Sequence, residues 1–286
     1  MAGGDLECLC QTIPQFSQFS ECYSSHESMN EFRRHKSIEM ISVSNKLEAT
    51  LPKSANDQET YEILNNLLNE SEDDECANLP WCADGETDHG GASKTQMYHH
   101  LKAYRYLCEV KVDGNYRYEQ ELTVDVIKTA HQLLMKNAVC ENGGEISNGT
   151  FRSHPVHARD YVYLSHELIP QAVENIVQQF NKDKKAGMDP IMLTANLFYE
   201  LITVHPFSDG NGRICRLMTT FSLFGTGVPF AVSITSGHRR SRKHYIDCIL
   251  RARRIGSDRK YLYTLFASSV ASGWTNFLAS LKHNFN

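Results

Sequence analysis

Apolar residues recur at helical spacing through most of the chain, and strand-like alternation is scarce. Met97, Leu101, Tyr104 and Leu107–Cys108 form one stripe; Val124, Ile127, Leu133 and Leu134 form another. The same period predicts helices over about 31–46, 58–69, 169–181, 191–204, 211–224, 242–254 and 261–281. Pro52 ends the first helical region by disfavouring helix at Leu51, and Thr123 is placed to cap the helix that starts at Val124. A break begins at Gly143-Gly144 and runs to about Asp160. After it the short β-prone run Tyr161-Val162-Tyr163-Leu164 predicts a hairpin on a helical body. The fold class expected is therefore all-α with one small hairpin.

Punctuation between the stripes sets the organisation. Residues 1–30 are polar and aperiodic and read as a variable arm. N-terminal helices fill 31–70, and 71–94 is an acidic, Gly- and Pro-containing surface insertion introduced by Glu70-Ser-Glu-Asp-Asp-Glu75. The helical core and C-terminal helices occupy 95–286, and one α-helical domain from about residue 31 onward is the economical reading.

Composition narrows the function classes. The 286 residues are 41% hydrophobic and 22% charged, an ordinary balance for a chain with a real core. A net charge of −5 argues against a nucleic-acid partner, so any phosphate chemistry must rest on local positive charge. The first twenty residues contain Asp5 and Glu7 and lack a basic leader, which is unlike a secretory signal. Leu217 to Gly237 is uncharged, but Gly225, Gly227 and Pro229 interrupt it, so a helix followed by a turn is expected rather than a membrane span. Nine scattered cysteines without a CxxC pair fit free thiols in a reducing, cytoplasmic or nuclear setting better than a zinc site.

The candidate chemistry sits in one run of twelve residues, His205-Pro-Phe-Ser-Asp-Gly-Asn-Gly-Arg-Ile-Cys-Arg216. Gly210 and Gly212 let a ligand approach the backbone closely, because no Cβ intervenes. With Asn211 or Gly212 opening a helix, the free N–H groups of its first turn form a nest for anions. Arg213 and Arg216 lie three apart on one helix face, and their planar forks suit phosphate oxygens. No Lys-Ser/Thr pair follows the glycines, so this is not a Walker A loop. Asp209 offers a hard oxygen ligand, and Mg²⁺ needs only one or two carboxylates beside phosphate oxygens. His205, ahead of the loop, is a candidate general base.

That run resembles, at every fixed position, the Fic-family motif HxFx(D/E)GNGRxxR. The resemblance implies an all-helical core with a short β-hairpin flap, and transfer of AMP from ATP, with Mg²⁺, to a Ser, Thr or Tyr of a target protein. It implies His205 as base, Asp209 as metal ligand, Gly210, Asn211 and Gly212 as anion hole, Arg213 on the α/β-phosphates and Arg216 on the γ-phosphate. Phe207 would anchor the loop in the core. Gly149-Thr-Phe-Arg152 looks like the family's Gly-x-Tyr-Arg stretch, which places Tyr161, Val162 and Tyr163 in the flap that clamps the target by strand addition. Tyr245 looks like the aromatic that lines the adenine pocket, and Arg253 stands where many relatives have an Asn. Pairing through helical faces is common among such proteins, so a homodimer is implied as well.

Ser44-Asn-Lys-Leu-Glu48-Ala49 resembles the family's inhibitory motif (S/T)xxxE(G/N), with Ala49 departing from its last position. The resemblance implies that Glu48 takes up the fork of Arg216 and repels the polyphosphate, with Ser44 in the same segment. Two other functions use the same residues: removal of AMP, with Glu48 placing a water, and non-catalytic nucleotide or partner binding. The intact His205 speaks against the latter, and Gly212 with Arg213 against a Doc-like kinase that binds ATP in reverse.

Overall fold

A computed structural model describes residues 27–48, 57–69, 89–136, 138, 148–158, 161–234, 239–254 and 259–284. Residues 1–26 of the polar arm, most of the acidic insertion and the start of the basic run at His238 lie outside the described residues, whereas 27–30, assigned to the arm from the sequence, open the first helix and bury Met29. The described helices are α1 Glu27–Leu47, α2 Asp57–Asn69, α3 His89–Cys108, α4 Val124–Leu134, α5 Ile169–Lys185, α6 Pro190–Val204, α7 Asn211–Phe224, α8 Arg239–Ala252 and α9 Lys260–Asn284. None of them is long and apolar enough to cross a membrane.

Local chemistry explains several boundaries. Thr123 accepts the Val126 N–H at 3.2 Å and caps α4. Asp189 accepts the N–H groups of Ile191 and Met192, with Pro190 at the first helical position, so α6 starts where its donors are satisfied. Helix α3 begins at His89, inside the segment that the charge pattern assigns to the insertion, and α8 begins at Arg239, three residues before the apolar spacing suggests.

Among the described residues two antiparallel hairpins accompany the helices. Strands β3 (His157–Ala158) and β4 (Tyr161–Val162) form the expected one, with His157 opposite Val162 and Ala158 opposite Tyr161. A second hairpin, β1 (Lys111–Val112) with β2 (Asn115–Tyr116), was not anticipated. Its signal is nevertheless in the sequence: Asp113 and Gly114 take φ of 54° and 82°, the left-handed pair of a tight type I′ turn.

Helix α7 is the axis of the domain. It packs against α6, α3, α4 and α1, and almost every residue from Asn211 to Leu223 is buried. Phe198, Phe207, Phe221, Phe230, Phe266 and Phe277 are fully buried in the core. The arginines of its first two turns are therefore held in the interior, which is unusual for Arg and needs partners.

Candidate functional site

The site is built on the short passage from α6 to α7. Helix α6 ends at His205, which adopts the left-handed region (φ 53°, ψ 62°) while its N–H still bonds the Leu201 carbonyl at 3.0 Å. A non-glycine residue in that region is strained and persists only where its surroundings over-determine it. They do so here. The Arg152 guanidinium donates from Nε to the His205 carbonyl at 2.8 Å, and from its other nitrogens to the carbonyls of His154, Leu164 and Val204. The Arg152 N–H bonds the Pro206 carbonyl at 2.9 Å. Asn211 closes the loop from the other side: Oδ1 accepts the Phe207 N–H at 3.0 Å and Nδ2 donates to the Phe207 carbonyl at 2.7 Å. Phe207 is fully buried, its ring stacked on His131 at 3.6 Å.

Gly210 caps α7 with φ 73°, and a Cβ there would fall 2.6 Å from Met135 Sδ. The N–H groups of Asn211, Gly212 and Arg213 precede the first intrahelical bond, from the Ile214 N–H to the Gly210 carbonyl, and so remain free for a ligand. Asn211 can serve such a nest only through its backbone, because its side chain is turned inward. Asp209 lies at the rim: Oδ1 accepts the Gly210 N–H at 2.6 Å, Oδ2 stands 3.7 Å from Arg213, and the side chain is 60% exposed. Arg213 is buried and donates to Gln96 at 3.0 Å, while its Nε has no hydrogen-bond partner among the described residues.

An anion already occupies this cradle. Glu48, one residue past the end of α1, places Oε1 at 2.6 Å from Arg216 Nη2, so close above Gly212 that a Cβ at that position would overlap it. Ser44, one turn earlier, accepts from Arg216 Nε through its hydroxyl at 2.8 Å and from Nη2 through its carbonyl at 3.1 Å. Burial pushes the Glu48 carboxyl up, but Arg216, Arg213 and Arg242 together outweigh it and hold the group below the usual carboxylate range. Burial favours loss of the Arg216 proton, yet Glu48 and Tyr245 keep the guanidinium more firmly charged than usual. Tyr245 is buried, meets the same guanidinium and packs edge-on to Phe198.

His205 is held from the other face. The Tyr163 ring stacks on it with centroids 4.1 Å apart, Tyr161 meets Tyr163 edge-on, and the Arg253 guanidinium covers Tyr161 at 4.2 Å. Arg253 thus stacks on the hairpin tyrosines, whereas Val162 between them points outward and is 72% exposed. Burial pushes the His205 pKa down to about 4; the Ile202 carbonyl opposes the shift, and Arg152 and Arg253 add to it. The ring is neutral at physiological pH, as a base must be.

Sequence reasoning missed three contributors: Arg152 as the clamp on the loop carbonyls, Gln96 on Arg213, and His131 under Phe207. For His131 a signal existed, since it falls on the buried stripe of α4 with Val126, Ile127, Ala130 and Leu134. A histidine in such a stripe needs partners for both ring nitrogens.

Buried His99, His100 and His131 and the half-buried His205 share a consequence. Burial lowers His99, His131 and His205 to about 4, and His100 well below its ordinary value. Below about pH 6.5 the unfolded chain takes up protons that the folded one refuses, so stability is present above that pH and lost towards 4. The unfolding free energy from urea titration at about pH 5 should lie under that at about pH 7 by on the order of 1–2 kcal/mol per histidine, with a correspondingly lower midpoint. Equal midpoints would show that these rings are protonated in the fold.

A sequence profile of the Fic/DOC family matches residues 121–223, the span from α4 to α7. A Fido domain-containing protein of Dictyostelium discoideum is 30% identical over 141 residues, covering 48% of this chain and 96% of that protein. The protein adenylyltransferase fic-1 of Caenorhabditis elegans is 30% identical over 109 residues, which are 38% of this chain and only 20% of that protein. The solved structure of C. elegans Fic-1 superposes with a TM-score of 0.73 at 17% identity, covering 98% of this chain and 74% of that one, and so shares the fold. With the Dictyostelium relative matched over nearly its whole length and the profile lying on the helices that frame the His205–Gly210 loop, the chain belongs to the Fic/DOC family.

Proposed function

We propose that this chain is a protein adenylyltransferase that moves AMP from ATP to a Ser, Thr or Tyr hydroxyl of a target protein and is restrained by Glu48. The observation that carries the proposal is the carboxylate of Glu48 seated over Gly212 on Arg216, at the amino end of α7. A place that holds one anion on an arginine fork and free N–H groups can hold a phosphate. The name of the C. elegans relative supports the reaction class.

The chemistry follows from the placement. Arg213 and Arg216 would bind the polyphosphate with the N–H groups of the nest. The target hydroxyl oxygen attacks the α-phosphorus, its proton passes to His205, and pyrophosphate leaves. Neutral His205 can accept that proton without first losing one. No group of three or more His, Cys, Asp or Glu able to hold a metal occurs among the described residues. The half-open Asp209 fits Mg²⁺ that completes its shell with phosphate oxygens and water. Such an ion, when bound, would neutralise charge on the phosphates. The target would dock on the hairpin by adding a strand beside β4, with exposed Val162 as an apolar contact. A homodimer and a cytoplasmic or nuclear setting complete the proposal.

The direct test is mass spectrometry of a lysate incubated with the Glu48→Gly protein and ATP. New adenylylated Ser, Thr or Tyr sites are expected. Loss of AMP from adenylylated proteins incubated with the parental protein, whose Glu48 is intact, together with no new sites from the variant, would instead assign hydrolytic removal of AMP.

A further inference from the structure

His131 reaches the rim of the site without touching any place a substrate would occupy. Its ring is fully buried on α4. Nδ1 accepts the Gly149 N–H at 3.0 Å, which requires a neutral ring to carry its proton on Nε2. That proton is donated to the carbonyl of Asp209, 3.0 Å away. The ring plane lies flat on Phe207, 5° from parallel, so it cannot rotate without displacing the loop anchor.

The carbonyl held by His131 belongs to the peptide that joins Asp209 to Gly210. In a planar trans peptide the C=O and N–H point in opposite directions, so fixing one fixes the other. The N–H of that peptide is the donor that holds Asp209 Oδ1 at 2.6 Å. Holding the carbonyl therefore aims the carboxylate and leaves Oδ2 at the mouth of the nest. We propose that His131 is a positioning residue for the metal ligand, acting through the Asp209–Gly210 peptide plane. This rests on the assignment of Asp209 above.

Two near-isosteric variants separate the two bonds of the ring. His131→Gln retains a donor where Nε2 stands; His131→Asn retains an acceptor where Nδ1 stands and loses the donor. Both are made in the Glu48→Gly protein, and ATP affinity is measured calorimetrically with Mg²⁺ and with a chelator, beside the melting temperature. The hold on Asp209 predicts that His131→Asn loses about tenfold or more of the gain in affinity given by Mg²⁺, as removal of an outer partner of a metal ligand does. Metal-free binding should change little, and His131→Gln should keep the gain. If both variants lose the same fraction, or lose metal-free binding equally, His131 only fills space and the proposal fails. It fails too if Mg²⁺ gives the parent protein no gain. Should His131→Asn not fold, His131→Leu removes the same donor and is read in the same way. Because the measurement is of binding, failure to transfer AMP would count against the proposed reaction and leave this result standing.

Discussion

Glu48→Gly is expected to raise incorporation of label from α-labelled ATP by about ten- to a hundredfold, the equivalent of one charge-assisted hydrogen bond at about 1.5–3 kcal/mol. Three observations set that size. The carboxylate is 2.6 Å from Arg216, it sits where a Cβ of Gly212 would be, and neighbouring cations keep it ionised. Polyphosphate must displace or skirt a fixed negative charge, and skirting it spoils the line between acceptor oxygen, α-phosphorus and leaving group. Because Ser44 still bonds Arg216 through its hydroxyl and carbonyl, the variant keeps the arginine in place and removes only the competitor. Transfer at the parental rate would mean that Glu48 does not inhibit.

His205→Ala in the same Glu48→Gly background should reduce transfer by about 10²–10⁴-fold, the usual contribution of a positioned base. Nucleotide affinity should hold, since the ring faces Tyr163 and contributes nothing to the nest. A parallel titration of ATP binding distinguishes this outcome from collapse of the loop, which depends on the backbone of residue 205 through Arg152. Undiminished transfer would remove His205 from the mechanism.

The helical body was legible because its cause is local. Stripes at a period of 3.6, the Thr123 cap and the Gly210–Gly212 break each act over a few residues, and the boundaries of α5, α6 and α7 follow from them. The twelve-residue run was legible for the same reason, its parts being neighbours in the chain. What could not be read were pairings across the fold. Arg152 with the His205 carbonyl, Gln96 with Arg213, and Arg253 over Tyr161 join residues far apart in sequence, and no spacing rule links them. Tyr245 shows the limit in another way. A resemblance gives a side chain a neighbourhood, but the direction it faces is settled by packing, here against Phe198 and Arg216.

The place of the Glu48 carboxylate, just past the end of α1, has a dynamic consequence for the proposed restraint. The body of that helix is moored elsewhere: Arg33 donates to the Pro229 carbonyl at 2.7 Å and Asn45 to His100 at 3.1 Å. Glu48 itself lies beyond Leu47, its N–H on the Asn45 carbonyl in a closing turn. Helix ends fray at far lower free energy than helices undock. Under the proposed restraint, release of Arg216 would take the unwinding of the end beyond Asn45 and no movement of a domain. On the proposed reading the resting activity would then measure how often that end is open, and any contact that stiffens or loosens residues 46–48 would set it.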